Sequence, residues 1–377
     1  MGNHLQYSTP GPPRKFAFGS NKRGSVGPLR GPQTLRFPCF AAAADEPQAR
    51  CGASGCGLLL YLMIPTLATR FGFLYEPFSM SVAAVRIEPL PDYGERSAWY
   101  KASSNADGFF YPPQMALYTR KSDSAKARKL PRTTRPARVY NLPASHAIEI
   151  SAPIEQNQPY SDANFLIQVL AFIFGTRLQF EEWRLDGRVP TTSVLNVFVD
   201  NATCAHFVEY MYLWWRTLPP DLRTRAVNLF YAFNRASAAE MDWDALHQQY
   251  MVFDGLFCFH KCLKLALERT PTPVLKRDSK KPSHEGRFDI MCSAYGIQPN
   301  KEVVKIIYKA RNNFFHEAMW AGGMVGYGTT EPGASQYSRS LSRLNARLLC
   351  AIAGYKNVYT ASVWWAMGGF LFDQSAG

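Results

Sequence analysis

Residues 311–316 read Arg-Asn-Asn-Phe-Phe-His. They place side by side the two side chains that RNA cleavage asks of a protein. RNA brings its own nucleophile, the 2′-hydroxyl beside the scissile phosphate. What remains is to move a proton, which an imidazole titrating near neutrality can do, and to hold the charge that builds on phosphorus, which the fixed donor fork of a guanidinium can do. His316 is therefore the candidate acid–base group and Arg311 the candidate phosphate holder. In a regular α-helix two residues five apart project about 140° from one another, so a single copy makes an incomplete pair unless the long arginine bends back. Asn312 and His316 are four apart and share a helical face. Asn312 is thus a third candidate, orienting the ring or a phosphate. The competing reading makes His316 a surface histidine and Arg311 an ion-pair partner of Glu317 or another nearby acid.

Spacing alone carries little. Arg277 and His284 stand in a similar relation, inside a Lys- and Pro-rich stretch, residues 270–286, with no helical pattern. What separates Arg311 and His316 from that pair is context. The segment KARNNFFHEA lies in an amphipathic helical run with Val303, Ile307, Ala310 and Phe314 on one stripe. It resembles the R-x4–6-H signature of the HEPN superfamily, in which a polar residue follows the arginine, as Asn312 does here. The resemblance covers about residues 219–375, and the strand-rich part before it is more loosely similar to the N-terminal part of Apea-like HEPN proteins. It implies an all-helical bundle and a metal-independent endoribonuclease without cofactor. It also implies a homodimer with two motifs around one cleft, products ending in a 2′,3′-cyclic phosphate, and a role in antiviral, abortive-infection or toxin-like defence. Some HEPN domains are non-catalytic modules that bind RNA or a partner protein, and this is the alternative expectation.

Other motifs point to less. Cys258 and Cys262 share a helical face while His260 points away, and no second ligand pair stands near, so no metal site is expected. Asp254 and His247, seven apart, suit a structural hydrogen bond or the lining of a cleft. The glycine run at 322–328 neither follows a strand nor opens a helix with Lys-Ser/Thr, which excludes a phosphate loop. The tryptophan pairs 214–215 and 364–365 read as core or interface residues.

The elements around the motif suggest an α+β chain. Residues 1–79 are rich in Pro and Gly and keep no period, so they are expected to be disordered or a translated leader ahead of Met80. Short β-branched and aromatic runs between 81 and 152, separated by prolines, read as strands. The basic stretch 122–138 reads as a long loop, solvated or touching phosphate. Asp162 is placed to cap a wholly apolar helix ending near Gly175. These pieces form an expected small α+β domain over 80–200. From 201 to 377 the chain reads as helix after helix: 203–217, one opened by Pro219-Pro220, a long one over 242–268, then 287–295, 302–320, 338–354 and a last one near 361–372. No repeat at solenoid spacing is present.

Composition bounds the partners. The chain of 377 residues carries 42 Lys and Arg against 29 Asp and Glu, a net charge of +13. That favours a polyanion, nucleic acid first, and leaves an unrelated helical DNA-binding or structural protein as a third reading. Eight cysteines at irregular spacing are no disulfide framework, and no signal peptide is evident. The apolar stretch 57–68 is too short to span a membrane. A cytoplasmic protein without membrane attachment is the expectation.

Overall fold

The computed structural model describes residues 66–82, 84–110, 139–157, 161–191, 201–267, 282–298, 300–320, 323–324 and 334–355. All of them fall in one compact unit, residues 61–377. Among the described residues the fold is a mixed α+β arrangement of an antiparallel sheet and eight α-helices.

Alternating residues build the sheet. In β6, His146–Ser151, the odd face is outward and Ile148 and Ile150 are fully buried. This strand pairs on one side with β3, Val85–Pro89, and on the other with β1, Thr66–Gly72. With β2, Met80–Val82, and β7, Gln179–Phe180, the order is β2-β3-β6-β1-β7. The expected boundary at residue 79 is therefore corrected. The segment before Met80 supplies the strand lying between β6 and β7, and Phe71, Phe73, Leu74 and Phe78 are buried. Among the described residues there are also three two-stranded pairs: β4 (Phe109–Phe110) with β9 (Val189–Pro190), β5 (Val139–Tyr140) with β8 (Leu185–Asp186), and β10 (Met319–Trp320) with β11 (Gly323–Met324). A helix that no strand pattern announced, α1, Tyr93–Ala102, lies in the strand-rich region.

Helix α2, Asp162–Ile173, has every residue buried, as its apolar sequence demands. Ser161 rather than Asp162 caps it, accepting from the Asn164 amide. The Asp162 carboxylate instead accepts from the Ile154 and Glu155 amides and from the Tyr212 hydroxyl. The helix packs on β1 and β6 below and on α3, Asn201–Thr217, and α4, Pro220–Ser237, above. One apolar core accordingly runs from Phe71, Ile87 and Ile148 of the sheet through α2 into the helices. The expected division at residue 200 does not separate two cores. Arg188 donates to the carbonyls of Ala238 and Ala239, and Arg235 pairs with Asp186, so charged side chains also cross that line.

The long helix α5, Asp242–Leu267, is the hub of the helical half. It touches α4, α6 (His284–Ala294), α7 (Lys301–Asn312) and α8 (Ala334–Ile352). Leu246, Tyr250, Phe253 and Phe257 form its buried stripe. The helical content fits a bundle. Among the described residues no helix is long and apolar enough to cross a membrane. The expected basic loop at 122–138, residues 1–65, Arg277 and the last helix with Trp364 and Trp365 lie outside the described residues.

Candidate functional site

Asn300 starts α7 by accepting from the Glu302 and Val303 amides, and Val304, Ile307 and Ala310 bury its inner face. The helix was expected to continue to residue 320. It stops at Asn312 and widens into a π-helical turn, Asn313–Glu317. Ala318 ends that turn in the left-handed region, at φ 53°, with its amide donating to the Asn313 carbonyl. The buried Trp320 of β10 then anchors the exit. Bonds from i to i+5 make the turn wider than an α turn, so the angle expected between Arg311 and His316 in a regular helix does not apply. Such single turns recur at functional sites.

Arg311 sits where α7 ends. Its guanidinium carbon is 4.6 Å from the centre of the Phe315 ring and 5.5 Å from that of Tyr250. Its Nη1 donates to Asn312 Oδ1 at 2.9 Å. Its Nε is shielded from solvent and has no acceptor. Among the described residues no carboxylate pairs with it, Glu317 included. The cation is held by aromatic faces and keeps its charge uncompensated. His316 is exposed on the π turn, and no hydrogen bond joins it to Arg311 or to Asn312 among the described residues. Asn312 was expected to orient the ring or a phosphate, and among the described residues it makes no bond to the ring. The side-chain oxygen of Asn312 accepts from its own neighbour, Arg311.

Sequence reasoning missed the residues that surround Arg311. Tyr250 of α5 is buried under the guanidinium, and its hydroxyl lies 3.0 Å from Nδ1 of His284. His284 opens α6 behind its cap Ser283. The ring of Tyr308 stacks on it at 5.6 Å. Desolvation, and then the positive charges of Arg287 and Arg311, lower the His284 pKa below the ordinary imidazole value, while Asp254 works the other way. Arg287 pairs with Asp254 at 2.6 Å, so Asp254 does not meet His247. The His247 ring packs instead on Phe314 and Phe315, at 5.8 and 4.5 Å. The apparent decoy histidine of the 270–286 stretch is therefore the one that stands in this cluster. The only available signal was Tyr250 on the α5 stripe, and its spacing is that of a core residue.

The remaining candidates resolve plainly. His260 bonds the Tyr295 hydroxyl at 2.7 Å, Cys258 and Cys262 are free thiols, and among the described residues no group of three His, Cys, Asp or Glu is placed to hold a metal ion. Trp215 is fully buried and stacks on Phe165 at 5.1 Å. Gly323 and Met324 form β11. Compared with known proteins, the chain matches no family model, no curated protein and no solved structure.

Proposed function

We propose that the chain is a metal-independent endoribonuclease of the HEPN type, acting on RNA through Arg311 and His316. The observation that carries this reading is Arg311: a guanidinium fixed on two aromatic faces with no acid partner among the described residues, one turn from an exposed histidine. Arg311 holds the phosphate. His316 takes the 2′-hydroxyl proton as oxygen attacks phosphorus, and a proton is returned to the 5′-oxygen as its bond to phosphorus breaks. The product strand ends in a 2′,3′-cyclic phosphate. Phe315 and Ile306 are exposed on the same segment, which supports pairing with a second copy whose motif completes the cleft. The role in defence rests on the sequence resemblance alone.

Incubating the full chain with total RNA in EDTA tests the reading. Cleavage is expected in the wild type, with Arg311→Ala and His316→Ala each slower by at least about 100-fold. A wild type that leaves RNA intact, or two variants that cut it as well as the wild type, overturns the proposal. The second reading, a non-catalytic module that binds RNA or a partner protein, is favoured by the absence of a hydrogen bond between Arg311 and His316 among the described residues. Under it Arg311→Ala weakens RNA binding and the wild type cuts nothing.

A further inference from the structure

One tyrosine orders two donors. The ring of Tyr250 lies under the Arg311 guanidinium, and its hydroxyl meets His284 Nδ1. Burial raises the phenol pKa, so the hydroxyl keeps its proton. Among the described residues His284 Nδ1 is the acceptor that this proton has. Tyr250 therefore donates and Nδ1 accepts. A neutral imidazole carries a single N–H, which then sits on Nε2. The Tyr308 stack holds the ring plane. Among the described residues His284 Nε2 makes no hydrogen bond, and the guanidinium of Arg311 makes one, to its neighbour Asn312. The nearby carboxylate of Asp254 is paired with Arg287. Tyr250 thus touches both groups, and the Arg311 charge is felt at His284, which places the two side chains in one cluster.

We propose that Arg311 and the Nε2–H of His284 form the seat for one phosphodiester of bound RNA, with Tyr250 setting the tautomer that His284 presents. This deepens the ribonuclease reading and rests on it for the identity of the ligand. His284 binds the phosphate, while proton transfer stays with His316. The groups facing His284 are Tyr250 and Asp254 from α5, Arg287 from its own helix, and Tyr308 and Arg311 from α7. Of these the two arginines disfavour its protonation. A phosphate seated beside it offsets them and favours the imidazolium.

The test uses the full chain and a 2′-O-methyl oligoribonucleotide of about ten residues, which has no free 2′-hydroxyl to attack. Histidine-ring NMR follows each titration, and His284→Gln identifies the signal. Saturating oligonucleotide is expected to raise the His284 pKa by about one unit or more, as an adjacent opposite charge does. Arg311→Ala should remove that rise. Tyr250→Phe keeps the ring under Arg311 but frees the tautomer, and should bind about fivefold more weakly, the worth of one hydrogen bond. Melting curves matching the wild type show that all three substituted chains are folded. An oligonucleotide that fails to bind, or binds without moving the His284 titration, overturns the seat. So does a His284→Gln or Tyr250→Phe protein that binds as the wild type does, or a shift seen with inorganic phosphate and not with the oligonucleotide. If the seat fails in these ways while total RNA is still cut through His316, the ribonuclease reading stands without it. If the His284 shift appears and no RNA is cut, the seat stands and the ribonuclease reading falls.

Discussion

At the scale of single residues, what surrounds a charge decides whether it is available. An arginine in a salt bridge, such as Arg177 against Asp186, has its field largely cancelled locally. Arg311, on Phe315 and Tyr250, has no ion-pair partner among the described residues. The opposite case is His146, which is fully buried beside Ser145 Oγ, against Phe71 and Tyr93. Burial pulls its pKa down to about 4. The folded state therefore binds fewer protons than the unfolded chain between the ordinary value near 6.5 and that depressed one. Stability is whole above about pH 6.5 and falls as pH drops toward 4, by up to roughly 3 kcal/mol from this residue. Urea unfolding of His146→Gln across pH 4 to 7 should show a flatter acid limb than the wild type. An unchanged slope would show that His146 is protonated as easily folded as unfolded. The candidate pair itself was legible as a spacing, but its surroundings were not. Tyr250 and His284 meet across thirty-four positions, and no local pattern distinguishes a tyrosine that supports a cation from one that fills a core.

Elements show which signals were local. Proline at the first turn of α4 was readable, and α4, α5 and α7 start within a residue or two of expectation. The end of α7 was not readable, because Asn313–Glu317 has ordinary helix-compatible composition and the widening comes from tertiary anchoring at Phe314, Phe315 and Trp320. Helix α1 was missed for a related reason: YGERSAWYKA has little amphipathic contrast and sits among strands. The sheet depends on close backbone approach at one glycine. A Cβ added at Gly72, the last residue of β1, would lie 2.2 Å from the Pro143 carbonyl oxygen and 2.9 Å from Ala144 Cα. Backbone cannot swing aside as a side chain can. Gly72→Ala should cost about 2 kcal/mol or more, as overpacking does, read as a lower urea midpoint. A midpoint equal to that of the wild type would mean that the β1 end can shift freely.

For the whole molecule, the decisive feature is that sheet and helices share one core through α2. Composition placed the folded part after residue 79, because Pro and Gly upstream outweigh the short run that becomes β1. A chain begun at Met80 would lack the strand between β6 and β7, leaving Ile148 and Ile150 next to an open edge. It should be insoluble or should lose the cooperative unfolding transition seen by circular dichroism for the full chain. A soluble product with an unaltered transition would show that β1 is dispensable. The placement of β1 also has a consequence for synthesis. Phe71 leaves the ribosome long before its partners His146 and Phe180 exist, whereas β2 and β3 can pair as soon as they emerge. Until β6 arrives the nascent chain carries β1 with no neighbour and Phe71 uncovered, and such non-local pairing is slow and exposed to aggregation. The strand made first in this sheet is among the last to be satisfied, which makes the interval between residues 72 and 146 the period in which the growing chain most needs protection.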